Sequence, residues 1–195
     1  MTKMRINAVT PEQFDAQFQK IATELTTAPL EQIDQVYARL LMLLSQSEEG
    51  LIAFLKRCNK RQLQTALTML DTATTVQNSP DVIDALKQTQ ARFPDLDLTA
   101  SLDAARIAYA RLQLLDEQLS QAPGKKDDKS QKEARFNALL AQAQQGDAQA
   151  QYRVALHYYF GNGVARDYAQ AKLWADKARE QQYEPALLFN ELPTA

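Results

Sequence analysis

Residues 146–186 read GDAQAQYRVALHYYFGNGVARDYAQAKLWADKAREQQYEPA. Gly146 is suited to end a preceding helix in the left-handed conformation. Asp147 can then cap a second helix carrying Ala150, Tyr152, Val154, Ala155, Tyr158 and Tyr159. Gly161 and Gly163 supply a turn, because glycine reaches positive φ at no steric cost. Asp167, with Gln170 three residues on, caps a last helix bearing Ala171, Trp174, Ala178 and Tyr183. The alanines stand where two helix axes must approach closely, so the stretch predicts an antiparallel α-hairpin.

This pattern resembles a Sel1-like repeat, a relative of the tetratricopeptide hairpin. The resemblance rests on Ala150-Gln151, Val154-Ala155, Tyr158, the Gly161-x-Gly163-Val164 turn, Asp167, Ala171, Trp174 and Ala178. Gln182 stands where the family has a glycine after its second helix, a departure that leaves a tight turn there open. The resemblance implies that the motif residues are scaffold and that the hairpin grips a polypeptide. Binding then falls to residues the motif leaves free, namely Tyr152, Arg153, Leu156, His157 and Tyr159. Five of the seven tyrosines and the one tryptophan lie between Tyr152 and Tyr183. Aromatic and arginine side chains are favoured interface anchors, although on helices they serve as core more often.

One hairpin cannot bury its own apolar face, since repeat arrays need about three units. A helix expected over 131–145, with Phe136, Leu139 and Leu140, is one support. A truncated helix at Ala186-Leu187-Leu188-Phe189 is another.

Upstream, Thr10-Pro11-Glu12-Gln13 is a capping box with proline at the first helical position. It opens a helix over 11–27 with Phe14, Phe18 and Ile21 at helical spacing. A second helix after Pro29 is apolar on every face from Leu40 to Leu44, so it is expected to be central. A short helix ends near Cys58. A fourth, with Leu63, Ala66 and Leu70, is expected to fray at Thr74, Thr75 and Val76. Ser79-Pro80-Asp81 caps a fifth, which Phe93-Pro94 ends. A long sixth helix over 99–121 carries Leu102, Ala105, Tyr109, Leu112 and Leu115 along one side. Residues 122–130 then contain no large apolar side chain and read as a flexible linker. The expected fold is therefore all-α, with a helical bundle over 1–121, a linker over 122–130 and the repeat module over 131–195.

The composition excludes several classes of function. Formal net charge is -2, which gives no global field for nucleic acid or a membrane surface. The basic run Lys56, Arg57, Lys60 and Arg61 reads as a solvated helix end, with an acid-binding patch as the alternative. The first residues lack the apolar core of a secretory leader, and the run from Leu40 to Leu44 is far too short to cross a bilayer. Cys58 is the one cysteine, which excludes an internal disulfide and suits a reducing compartment. Arg57 beside it could lower its pKa, but the thiol reads as structural. His157 is the one histidine, a poor base or metal ligand set by itself. No phosphate loop, nucleophile elbow or zinc motif occurs.

The sequence therefore reads as a cytoplasmic, non-catalytic adaptor or regulator that binds another protein. No catalytic residue, cofactor or metal is assigned, and neither nucleic acid nor membrane is expected as a partner. By its resemblance it is bacterial. The alternatives are an immunity protein neutralising a toxin or effector, a secreted effector, or an enzyme with a site in the N-terminal bundle.

Overall fold

A computed structural model describes residues 9–121, 129–189 and 191–194. The described residues form ten α-helices, one 3-10 turn and no strand. None of these helices is long and apolar enough to cross a membrane. The chain divides into two compact units, Met1–Ala108 and Tyr109–Ala195, and the division falls inside the long sixth helix. Of the expected linker, residues 122–128 lie outside the described residues, and Lys129 and Ser130 already belong to a helix. Residues 1–8 of the segment read as lacking a leader also lie outside them.

The N-terminal unit contains α1 (Pro11–Thr27), a 3-10 turn (Leu30–Gln32), α2 (Ile33–Gln46), α3 (Glu48–Arg57), α4 (Lys60–Val76), α5 (Pro80–Arg92) and the start of α6 (Thr99–Gln121). Polar side chains cap these helices. The Thr10 Oγ1 accepts from the Gln13 N–H at 3.3 Å, and the Gln13 Oε1 accepts from the Thr10 N–H at 3.0 Å. Asn59 and Gln62 form the same reciprocal pair at the start of α4. Each such cap contributes about 0.5–2 kcal/mol. α1 packs on α2 and α3, α2 on α4, and α3 on α5. Phe14, Phe18, Leu40, Leu44, Leu55 and Leu63 are fully buried at the centre. Each contributes about 1.5–3 kcal/mol, more than an exposed ion pair supplies.

Three expectations change in this unit, and a fourth changes along α6 beyond it. α2 is not apolar all round in its surroundings. It buries Val36, Leu40, Leu43 and Leu44 but leaves Met42 70% exposed. α4 does not fray, because Thr74 is buried and its hydroxyl donates to the Ser101 carbonyl at 3.1 Å. The basic run is split by a helix boundary. Lys56 and Arg57 close α3, whereas Lys60 and Arg61 open α4, where cations oppose the dipole. Carboxylates compensate: Arg57 pairs with Asp15 at 2.9 Å, and Lys60 pairs with Asp95. The stripe of α6 also turns. Leu112 and Leu115 are exposed, and Ala110 and Leu114 are buried instead. Leucines on several sides of that helix make its periodicity ambiguous.

The C-terminal unit contains the rest of α6, α7 (Lys129–Gln144), α8 (Ala148–Phe160), α9 (Tyr168–Glu180) and α10 (Glu184–Phe189). α7 packs on α8, α8 on α9, and α9 on α10. Ala150, Ala155, Ala171, Ala175 and Ala178 are all buried, which brings the α8 and α9 backbones close. Trp174 is buried at 7% exposure. Gly161 ends α8 at φ 70°. Gly163, at φ 72°, meets α7 so closely that a β-carbon there would lie 2.4 Å from the Lys132 carbonyl oxygen.

α9 ends in a tight turn after all. Gln182 takes the left-handed conformation itself, at φ 59°. Its N–H donates to the Arg179 carbonyl at 2.8 Å, and the Tyr183 N–H donates to Ala178 at 3.2 Å. This is the hydrogen-bond pattern of a Schellman motif, formed without the usual glycine. The buried Ala186 and Phe189 of α10 hold the chain in that path.

Two substitutions separate these turns. Gly163→Ala should destabilise the protein by about 2–4 kcal/mol, from overpacking plus left-handed strain. Gln182→Gly should stabilise it by about 0.5–1 kcal/mol, because strain at φ 59° is relieved against the added backbone entropy. Urea midpoints of the two variants, with unchanged slopes, check both values.

Candidate functional site

The hairpin α8–α9 is where the sequence placed partner contacts, and the geometry of α8 decides which side chains are available. α8 lies between α7 and α9, and nearly all of its circumference is covered. Tyr152, Leu156, His157 and Tyr159 are buried at 4%, 1%, 6% and 6% exposure, and Arg153 alone of the five expected contact residues is half-exposed. Four of those five therefore face the interior, which corrects their reading as free side chains. Positions 152, 156 and 159 recur at the spacing of one helix face, and that periodicity is itself a core signal.

Each buried polar side chain of α8 has a structural partner. The Tyr152 hydroxyl donates to the Gln113 side-chain oxygen. Its ring lies 5.7 Å from Tyr183 and 6.1 Å from Phe189, edge-on to the latter. The Tyr159 hydroxyl donates to the Pro193 carbonyl at 2.5 Å, drawing the segment after α10 over α8, where Leu192 is buried. His157 Nδ1 lies 2.6 Å from the Asn162 carbonyl oxygen, an acceptor, so Nδ1 carries its proton. That bond holds the Gly161–Gly163 turn. Gln151 joins three helices. Its amide donates to the Ala143 carbonyl at 3.1 Å, and its carbonyl accepts from Gln181 at 2.8 Å. Sequence reading missed Gln151 as a buried link, since only its place in an Ala-Gln pair marked it.

The surface the module does present is different. Leu173 on α9 and Leu187 on α10 are 46% and 52% exposed, and these two helices pack on each other. On α6, Leu112 and Leu115 are exposed one turn apart. A hollow of about 580 Å³ opens between the first turns of α7, with Lys129, Lys132 and Glu133, and the turn Gly161–Ala165. Lys129 and Glu133, one turn apart on α7, form an ion pair at 3.9 Å. The hollow can accept a polar side chain or a chain terminus.

Cys58, in the N-terminal unit, is buried, and burial pushes its thiol pKa up, against the opposing pull of the Arg92 cation. Arg57 turns away to Asp15, so the activated-thiol alternative is overturned. Among the described residues no group of three or more His, Cys, Asp or Glu is placed to hold a metal ion.

Burial raises the Tyr152 phenol well above its usual 10.0, and Tyr109 and Tyr183 add to the shift. Above about pH 10 the unfolded chain releases a proton that the folded chain retains. Stability is thus fully present below that pH and falls as pH rises toward the folded value, by up to about 1.4 kcal/mol per unit. The fall should be shallower in Tyr152→Phe, read as the slope of unfolding free energy between pH 9.5 and 11.5 (about the window set by the ordinary phenol).

No family model, curated protein or solved structure matches this chain.

Proposed function

We propose that this protein is a non-catalytic adaptor or regulator that binds a polypeptide through its C-terminal helical module, in the manner of Sel1-like repeats. The observation that carries the reading is the contrast within that module. Its aromatic residues close on one another, so α8 offers almost nothing to solvent, while the adjoining helices α9 and α10 each leave a leucine in water. A polypeptide partner covers such side chains at the centre of an interface. The buried polar groups Gln151, Tyr152 and His157 each bond to a neighbour inside the unit, which is the chemistry of a scaffold. The N-terminal unit then serves as a second helical body on the same chain.

The test uses a photocrosslinking amino acid at Leu173 or Leu187 in the native host. The proposal expects one discrete protein adduct. With that partner purified, Leu173→Asp combined with Leu187→Asp should weaken binding by about thirtyfold, roughly 2 kcal/mol at an interface centre. The thermal midpoint should stay nearly unchanged, because both positions are exposed. An absence of adducts at both positions, or unaltered affinity in the double variant, ends the reading.

A further inference from the structure

The segment that follows α9 is held by good side-chain contacts, yet it reaches them through a strained hinge. α10 and residues 191–194 fold back as an arm against α9 and α8. Ala186, Phe189 and Leu192 anchor it, all three buried. The Phe189 ring meets Tyr159 and Tyr152 edge-on, with centroids 5.8 and 6.1 Å apart. The Tyr159 hydroxyl donates to the Pro193 carbonyl and fixes the arm beyond α10.

The hinge opposes that path. α9 ends at Glu180 and α10 begins at Glu184, so Gln181, Gln182 and Tyr183 must reverse the chain. Gln182, at φ 59°, is alone among the described non-glycine residues in having a positive φ. In that conformation a β-carbon crowds the following carbonyl oxygen. Pro185 adds to the strain, because the residue before a proline disfavours the helical region that Glu184 adopts as it opens α10. Pro185 also bars the simplest relief within one chain. Fusing α9 and α10 into one helix would drive its ring into the Gln181 carbonyl. A released hinge therefore extends and carries the arm away from its own α8. The strain exists while the arm returns to its own chain, but the arm's contacts do not require that it does. A second copy offers the same groove, and short strained hinges favour exchange for this reason.

We infer that two copies of this chain exchange the arm that begins at Tyr183, each laying α10 and Leu192–Pro193 on α8 and α9 of the other. The arm's seating on its own chain shows that the groove and this occupant are complementary. Exchange keeps the buried contacts, and each of the two hinges leaves the left-handed conformation. The resulting interface is isologous and closes at two copies. It does not depend on the proposed function, whose test reads adducts with other proteins, whereas exchange is read from the chain's association with itself.

The experiment mixes carbon-13 labelled and unlabelled full chains at millimolar concentration, warms them to release the arm and cools them. Light scattering should show a dimer in equilibrium with the monomer. Isotope-filtered NOE spectra of that dimer should place the Phe189 ring of labelled copies against the Tyr159 ring of unlabelled ones. Gln182→Gly removes the strain from the closed chain and should raise the dimer's Kd about five- to thirtyfold, both hinges being relieved at once. Gln182→Pro cannot take a positive φ and should be dimeric at micromolar concentration. The inference is overturned by a chain that stays monomeric at millimolar concentration, or by a dimer whose Phe189–Tyr159 contact stays within each copy. An equal or tighter dimer in Gln182→Gly, or a monomeric Gln182→Pro of native helix content, overturns it as well.

Discussion

The Lys132 carbonyl oxygen occupies the space that any side chain at position 163 would need. That contact, 2.4 Å from a would-be β-carbon, ties the start of α7 to the turn between α8 and α9. The turn is fixed from its other side by His157. Its carbonyl accepts from the N–H groups of Gly161 and Asn162 at 2.9 and 3.0 Å, and its ring meets the Asn162 carbonyl. The Asp167 N–H then bonds to the Tyr158 carbonyl at 3.0 Å, which sets where α9 begins. The rest of the C-terminal unit follows from this one close approach. α9 is placed against α8 through its alanines, and Gln182 turns the chain into α10.

Holding α8 in the middle has a consequence for chemistry. A helix covered on most sides must satisfy every polar group it buries, since an orphaned one costs about 1–3 kcal/mol. Gln151, Tyr152, His157 and Tyr159 all do so within the unit. Side chains committed in this way are poorly suited to meet a partner, because binding would first have to break those bonds. The exposed leucines of α9 and α10 have no such commitment. The partner binding proposed for this module is therefore more economically placed on its flanks than on the helix with the richest aromatic content.

The N-terminal unit shows the opposite balance. Its centre is a plain apolar core, with Phe54 stacked at a tilt against Phe18, ring centroids 4.6 Å apart. Its helix ends are capped, and Thr89 and Gln90 satisfy buried backbone carbonyls between elements. Yet Met42 stays exposed between α1 and α2, beside the buried Ile21 and Leu43 and the Arg39–Glu24 ion pair. The buried, hard-to-ionise thiol of Cys58 suits a structural place in that frame.

Helix positions were largely legible in the sequence, because caps, prolines and apolar spacing act within a few residues. Thr10 with Gln13, Ser79 with Pro80, and Asp147 and Asp167 each mark a helix start by a bond to the backbone three residues on. The all-helical class follows from those local signals. What the tertiary structure alone decided is which faces are covered. Tyr152 and Met42 are both apolar-faced residues on amphipathic helices, yet one is 4% exposed and the other 70%. The stripe on α6 and the persistence of α4 through Thr74 were hidden for the same reason. Thr74 is held by the Ser101 carbonyl, far along the chain, and periodicity records the spacing of apolar residues without recording what lies against them.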